Sequence, residues 1–198
     1  QDLGSSPAAM EAGKAADCYG SFDSHDCMQA DAEQAYVQAD LKGPKTWVLL
    51  PPEAWPEEWR GKWRKPVVVL NKALYGHPES GAIWEKHLSK VLIDLGWKKV
   101  PSHPGTWIHA RTSAILAVYV DDLLMAAPAA HEASLWKSLE EKTSFDEPAA
   151  PISKFLGAHH TFKKQGHTTH HSVQTREFLQ DAALKYKQET GISTLAPV

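Results

Sequence analysis

The sequence is poor in cysteine and in long apolar runs. Two cysteines, Cys18 and Cys27, are too few for a disulfide scaffold or a cysteine-based zinc finger, and they suggest a reducing compartment. The apolar stretches 67–70 and 115–125 are too short to span a bilayer or are broken by acids, and no charged-then-apolar leader opens the chain. We therefore expect a soluble, intracellular protein, with nucleus and cytoplasm both left open.

Excess charge of one sign is also lacking. The chain has 21 lysines and arginines against 24 aspartates and glutamates, a formal net charge of -3 at pH 7. Domains that bind nucleic acid commonly present a basic face, so the overall charge gives no such footprint. A polyanionic partner would have to be held by a local patch or through metal ions. The chain begins at Gln1 rather than at a methionine, which suggests a fragment of a longer protein.

The composition itself is that of a globular domain. With 198 residues, 42% of them hydrophobic, the chain can bury one core. Residues 1–24 are rich in alanine, glycine and serine without apolar periodicity, and we predict a flexible lead-in there. Beyond residue 25, short β-type runs alternate with helical stripes at 80–96 and 131–142. The order strand, helix, strand, strand, helix, strand predicts an α+β fold of split βαβ type, an antiparallel sheet with helices on one face.

Two adjacent acids, Asp121 and Asp122, interrupt the apolar run 114–126. Acidic residues are depleted from strands, and burying an unpaired carboxylate is costly, so the pair requires a hairpin tip, a cation, or both. A tight β-turn would let both side chains face one cleft. The residues alone leave open that these are simply turn residues in water.

Five of the eleven histidines lie close together: His159, His160, His167, His170 and His171. Imidazole is a common zinc ligand, but the spacing matches no structural finger, and no cysteine or nearby acid completes a usual site. We favour a solvent-exposed hairpin that turns at Gly166 and leads into a helix over 177–186. Whether the cluster binds a metal ion is left open by the sequence.

Several motifs carry a family resemblance. The run YVDDLLM at 119–125 resembles the catalytic motif of reverse transcriptases, in particular of the copia-type retrotransposon enzymes. Other matches follow in the order which that family requires. The run DAEQAYV at 31–37 resembles the motif of the first catalytic aspartate, and LNKALYG at 70–76 resembles the most distinctive stretch of the copia-type domain. The run FLG at 155–157 matches a downstream element.

The resemblance implies an RNA-directed DNA polymerase, a nucleotidyltransferase that uses two Mg²⁺ ions, with Mn²⁺ as an alternative. It assigns catalysis and metal ligation to Asp31, Asp121 and Asp122. It assigns substrate binding to Ala32, Ala35, Tyr36, Tyr75, Gly76 and Tyr119. It assigns nucleic-acid contact to Lys72, Phe155, Leu156 and Gly157. The residues alone leave open that Tyr36 is a core aromatic, that Lys72 is a solvated surface lysine, and that Phe155 and Leu156 are packed strand residues.

The resemblance also divides the chain. Residues 25–160 are expected to form the polymerase palm, with a reduced fingers insertion near 42–75, and residues 161–198 a hairpin and helix that begin the thumb or connection. The implied partners are an RNA or DNA template-primer and deoxynucleoside triphosphates, without a membrane. In the family a basic fingers segment normally precedes the first aspartate, and a basic turn follows the position of Gly76. Only about 30 residues precede Asp31 here and they lack those basic contacts, which predicts weak nucleotide binding. The turn after Gly76 is HPESG at 77–81, which weakens the expectation of template contacts there.

Three interpretations remain open on sequence alone. The first is an RNA- or DNA-templated DNA polymerase domain of a retrotransposon polyprotein, active or formerly active, and the sequence does not show whether a protease, integrase or ribonuclease H accompanies it. The second is a truncated, catalytically inactive palm that persists as a folded or binding module. The third is an unrelated metal-dependent enzyme, such as a nuclease, which would need a general base that the sequence does not reveal. The ordered motifs disfavour the third. Oligomeric state and template preference are not readable from the sequence.

Overall fold

The structure, a computed structural model, describes residues 7–166 and 168–191; the clustered His167 therefore lies outside the described residues. Its elements form a mixed α+β fold with antiparallel sheets. The helices are Met10–Gly20 (α1), Ala35–Gln38 (α2), Ser80–Asp94 (α3), Ala129–Glu140 (α4) and Arg176–Thr190 (α5). The strands are His25–Asp31 (β1), Trp47–Leu49 (β2), Val67–Val69 (β3), Trp97–Lys99 (β4), Thr106–His109 (β5), Ile115–Tyr119 (β6), Asp122–Pro128 (β7), Ala150–Pro151 (β8), Lys154–Phe155 (β9), Ala158–Gln165 (β10) and Thr168–Gln174 (β11). None of the described helices is long and apolar enough to cross a membrane.

The largest sheet has the strand order β4-β5-β6-β7-β1-β8. Successive residues of a strand point to opposite faces of the sheet, and successive residues of β7 are buried. Both faces of β7 are therefore covered. Leu123 and Met125 pack into one apolar cluster, and Leu124 and Ala126 into another on the opposite face. This double burial explains why the run beyond the two acids is continuously apolar rather than alternating.

The predicted helical stripes at 80–96 and 131–142 are confirmed by α3 and α4. Both helices contribute to the same buried cluster, α3 through Trp84, Leu88 and Leu92, and α4 through Trp136 and Leu139. The spacing of three and four residues places these side chains on one side of each helix. One face of the sheet is therefore covered as the sequence predicts.

The other face carries α1, which corrects two predictions. The chain was expected to be flexible over 1–24 and to have helices on one face only, whereas α1 buries Ala12 and Ala16 against the second apolar cluster. Gly20 lies so close to the sheet that a β-carbon on it would be 2.6 Å from Cβ of Cys27. Alanine and glycine allow a helix to approach closely but give little hydrophobic periodicity, so the sequence signal for this helix is weak.

The segment between α2 and α3 contains a two-stranded ribbon. Strands β2 and β3 pair antiparallel and enclose the tryptophan-rich loop at 50–66. This loop contains two short 3-10 turns, Pro52–Ala54 and Glu57–Trp59. Val67 is 54% exposed although it belongs to an apolar run, because the ribbon lies outside the main sheet. The predicted insertion near 42–75 contains this ribbon.

The last part of the described chain is a hairpin and a helix. Strands β10 and β11 pair over seven residue pairs, and β9 adds a short third strand. The expected boundary between residues 160 and 161 falls inside β10, so it does not separate two structural units. The predicted helix over 177–186 is confirmed by α5, which is longer at both ends.

Candidate active site

The acids of the predicted site lie where two interior strands of the main sheet end. Strand β1 ends at Asp31, and β7 begins at Asp122, and these two residues are directly paired in the antiparallel register. Asp122 also pairs with Tyr119 at the end of β6. Val120 and Asp121 thus form a two-residue turn, as expected for a tight hairpin. The fold brings together acids that are 121 − 31 = 90 positions apart in the sequence.

Two hydrogen bonds hold the tip of this hairpin. The indole Nε1 of Trp84 on α3 donates to the carbonyl oxygen of Val120 at 2.7 Å. The backbone N–H of Ala32 donates to the carbonyl oxygen of Asp121 at 2.8 Å. Val120 has φ of 60°, a left-handed conformation that is unfavourable for a β-branched residue. The surrounding structure therefore holds a strained turn in place, and strain of this kind is concentrated at functional sites.

The electrostatics of the tip are unfavourable for three ionised acids. The pKa of Asp122 is raised to about 7, first by burial, then by its hydrogen bond with Asp31, and further by the negative charges of Asp31 and Asp121. Asp31 is exposed, whereas Asp121 and Asp122 are half-buried. A half-buried group surrounded by like charges binds a proton more readily, and it would be stabilised by a cation in the same way.

Two tyrosines that the sequence analysis assigned to the substrate lie together near these acids. The rings of Tyr36 and Tyr75 have centroids 4.4 Å apart. The pKa of the Tyr75 phenol is raised first by burial and then by the charge of Asp121. Tyr119, at the base of the acidic turn, is 38% exposed. Gly76 follows Tyr75 with φ of 90°, which a side chain would strain, and it is exposed.

Ala32 and Ala35, the other two predicted substrate residues, are core residues. They are 3% and 0% exposed and belong to the cluster beneath α3 and α4. Their side chains are therefore covered by protein, and a substrate could meet only the backbone of these positions. The N–H of Ala32 is already used by the carbonyl oxygen of Asp121.

Lys72 is engaged by an acid rather than free. Its Nζ lies 2.7 Å from Oδ1 of Asp40 and donates a longer bond of 3.4 Å to the carbonyl oxygen of Gln38. The hydrogen bond and charge of Lys72 lower the pKa of Asp40. Both side chains are exposed, so the pair exchanges readily with solvent and ions.

The predicted nucleic-acid element at 155–157 is divided between core and surface. Phe155 is buried against the cluster under α1, whereas Leu156 is 49% exposed. Leu156 and Gly157 have φ of 48° and 78° and form the two-residue turn between β9 and β10. A β-carbon on Gly157 would lie 3.2 Å from the ring of Phe178, so α5 packs directly on this turn.

A supporting segment at 144–146 holds the loop that follows β1 and has no signal in the sequence. The N–H of Asp146 donates to the carbonyl oxygen of Asp31 at 3.0 Å. The side-chain amide of Gln38 donates to the carbonyl oxygens of Glu33 and Ser144, at 2.7 and 2.9 Å. These contacts fix the loop after β1, and the charge of Asp146 adds to that of Asp121 in raising the pKa of Tyr75. Nothing in the local sequence of residues 144–146 signals this role, because it depends on long-range pairing.

Metal-ligating side chains converge most tightly elsewhere in the molecule. Within the described residues, the one group of three or more whose ligand atoms all lie within 4.8 Å of one another is Asp17, His160 and His171. The three acids of the hairpin tip do not meet that spacing. Asp17 is the nearby acid that the histidine cluster lacked at the level of sequence, and it is supplied by α1.

The fold and site together define an α+β domain that presents acids from two neighbouring strands at a strained hairpin tip. A model of the reverse transcriptase (RNA-dependent DNA polymerase) family matches residues 19–195, and the chain belongs to this family. The transposon Ty5-1 protein YCL074W of Saccharomyces cerevisiae is 26% identical over 168 residues, which cover 83% of this chain and 50% of that protein. The chain thus spans about half the length of this curated relative. No solved structure matches.

Proposed function

We propose that the chain is the RNA-directed DNA polymerase domain of a copia-type retrotransposon and that Asp31, Asp121 and Asp122 form its catalytic site. The observation that carries this proposal is the register of the sheet, which sets Asp31 directly opposite Asp122 at the acidic turn. Family membership supports the reaction class, and the likeness to a yeast transposon protein supports the element type. The substrates would be a template-primer and deoxynucleoside triphosphates.

The arrangement of the main sheet supports a polymerase palm. The order β1, α3, β6, β7, α4, β8 is that of a split βαβ fold, in which β1 lies between β7 and β8. Since β6 and β1 are both antiparallel to β7, they run parallel to each other, and α3 lies in the crossover between them. This topology brings the end of β1 to the turn between β6 and β7.

The three acids offer the donor atoms that a magnesium site uses. Their donor atoms are carboxylate oxygens, the ligands that Mg²⁺ and Mn²⁺ prefer, and the raised pKa of Asp122 reflects burial and negative charge that a divalent cation would offset. Asp31, Asp121 and Asp122 would hold the metal. When bound, Mg²⁺ supplies Lewis acidity that makes the primer 3′-hydroxyl a better nucleophile and stabilises the pyrophosphate leaving group.

The protein's own contribution is positioning. The bonds from Trp84 and Ala32 fix the turn, so the carboxylates keep their places when substrate binds. The contacting rings of Tyr36 and Tyr75 form an aromatic surface beside Asp121. By resemblance to the family, the nucleotide sugar would rest on Tyr36, whose ring would exclude a 2′-hydroxyl and so favour deoxynucleotides. Ala32 and Ala35 support this surface from the core.

Contacts to nucleic acid are fewer than the sequence motifs suggest. Leu156 is exposed and Gly157 forms a turn, so this tip can meet the primer, whereas Phe155 supports it from below. Lys72 would have to exchange Asp40 for a phosphate. This ion pair and the net charge of -3 favour the second candidate, a palm that folds but does not polymerise by itself.

Primer extension separates the two candidates. The chain is incubated with an RNA template, a DNA primer, Mg²⁺ and deoxynucleotides, beside an Asp121→Asn, Asp122→Asn variant. Asp94→Asn is the matched control, since Asp94 is an exposed acid at the end of α3. We expect extension by the wild type and the control, and a loss of at least about 100-fold in the variant, as when a catalytic group is removed. Folded wild-type protein that extends no primer would overturn the polymerase assignment and support the inactive palm.

A further inference from the structure

Helix α1 and the hairpin β10–β11 meet at three side chains capable of binding a metal. Asp17 projects from α1, and His160 and His171 project from the two strands of the hairpin. In the register of the hairpin His171 pairs with Phe162, two residues beyond His160, so both imidazoles lie on the face that α1 covers. Elements that are far apart in sequence thus supply the group, which explains why no local motif reveals it.

The burial of this group is unusual for three polar side chains. The side chains of Asp17 and His160 are 9% and 6% exposed, and that of His171 is 17% exposed. Among the described residues, Oδ1 of Asp17 has no hydrogen-bond partner. Nδ1 of His160 lies 3.4 Å from this oxygen, too far for a strong charge-assisted bond, so a cation between the two groups would be favourable.

Nδ1 of His160 and Nε2 of His171 are within hydrogen-bond distance, and all three groups are also close enough to share one ion. Nδ1 of His160 lies 3.1 Å from Nε2 of His171 and 3.4 Å from Oδ1 of Asp17. Nε2 of His171 lies 3.9 Å from Oδ2 of Asp17. A charge-assisted bond between imidazolium and carboxylate would be about 2.7–2.9 Å. Ligands 2.0–2.1 Å from a tetrahedral zinc ion are instead about 3.3 Å from one another.

The surroundings hold one of the two imidazoles in place. Phe162 stacks on His171 with ring centroids 4.3 Å apart and planes 11° apart, which fixes the orientation of that ring. Two imidazoles and one carboxylate suit zinc, whereas Mg²⁺ prefers oxygen ligands alone.

We propose that Asp17, His160 and His171 bind one Zn²⁺ ion that joins α1 to the hairpin β10–β11, with solvent as the fourth ligand. The site is separate from the acidic turn. Metal binding there does not require that the domain polymerise DNA. Its role is structural, because the ion would cross-link the helix before β1 to the hairpin after β9. Binding would therefore raise the stability of the folded chain.

Metal titration of the chain tests this proposal. Protein treated with EDTA and dialysed is titrated with Co²⁺, whose visible absorption is intense when it is tetrahedral, and then with Zn²⁺ in competition. We expect one equivalent of Co²⁺ with a tetrahedral spectrum, displacement by Zn²⁺ but not by Mg²⁺, and a rise in Tm with Zn²⁺. His171→Gln and Asp17→Asn should each weaken Zn²⁺ binding by at least about tenfold, since even outer partners of a metal site matter that much.

His170→Gln is the matched control, because His170 is the exposed neighbour of His171 on the same strand. It should leave both the spectrum and the Tm shift unchanged. Circular dichroism of each metal-free variant shows whether it folds, and His160→Gln gives a third variant should Asp17→Asn fail to fold. The proposal is overturned if Co²⁺ gives no tetrahedral spectrum. It is equally overturned if folded His171→Gln and His160→Gln bind Zn²⁺ as tightly as the wild type.

Discussion

At the residue scale, Asp122 is the position where folding and chemistry conflict most directly. It begins a strand that is otherwise buried, faces Asp31 across the sheet and follows Asp121 in the chain. Burial and these negative charges raise its pKa to about 7. A sequence selected for stability alone would place a neutral residue here, and the cost is consistent with a cation-binding role for the acids.

The raised pKa predicts a pH dependence of stability in buffer with EDTA. The folded pKa of Asp122 lies above the ordinary aspartate value of about 3.9, so between those values the folded state binds more protons than the unfolded state. The stability that this group contributes is full below about pH 4 and is lost as the pH rises through 7. Urea unfolding should therefore show that Asp122→Asn loses less stability than the wild type between pH 5 and pH 8.

The matched acid Asp94 gives the control for this measurement. Each variant removes one carboxyl group, but Asp122 is half-buried among other acids whereas Asp94 is exposed. Asp94→Asn should therefore follow the wild-type profile. Adding Mg²⁺ at pH 8 should restore stability to the wild type and not to Asp122→Asn. Identical pH profiles for the wild type and Asp122→Asn would mean that the acids at the turn do not interact as described.

At the scale of elements, α1 is the element that departs most from the sequence-based prediction. It covers the face of the sheet opposite α3 and α4 and supplies Asp17 to the histidine cluster. Its close approach depends on small residues, above all on Gly20 against Cys27. The pKa of the Cys27 thiol is raised to about 12, mainly by burial beneath this helix.

Two glycines of α1 provide a matched test of its packing. Gly20→Ala would place a β-carbon 2.6 Å from Cβ of Cys27, so we expect a loss of about 1–3 kcal/mol in the free energy of unfolding. Gly13→Ala meets no atom within 4 Å and should stabilise the helix by about 0.5–1 kcal/mol. Urea unfolding measures both. If the two substitutions have the same effect, α1 does not pack on the sheet in this way.

The elements also show what a sequence can and cannot predict here. The helices α3 and α4 and the acidic hairpin are predictable because each has a strong local pattern, apolar spacing in the helices and two acids within an apolar run in the hairpin. Helix α1 is not, since alanine and glycine carry little periodicity. The ion pair of Lys72 with Asp40 and the contact of Asp17 with His160 are also hidden, because both depend on which segments the topology brings together.

At the scale of the whole molecule, the candidate site depends on one long-range contact between two strands. Asp31 and Asp122 are brought to adjacent positions by β1 and β7, which pair over seven residues from His25 opposite Pro128 to Asp31 opposite Asp122. A shift of one residue in this register would turn Asp31 to the other face of the sheet. In the observed register Cys27 packs into the apolar cluster under α1 and Ala30 into the cluster under α3 and α4, so the core on both faces supports the geometry of the candidate site.

The most direct test of a single site made from both strands is the rate of incorporation of one deoxynucleotide in a single turnover. Asp31→Asn, the pair Asp121→Asn with Asp122→Asn, and the variant with all three substitutions are compared with the wild type and Asp94→Asn. Because groups that act as a unit are strongly non-additive, we predict that Asp31→Asn loses nearly as much rate as the pair and that the triple variant loses little more. An Asp31→Asn variant that keeps the wild-type rate would show that Asp31 does not form one catalytic site with Asp121 and Asp122.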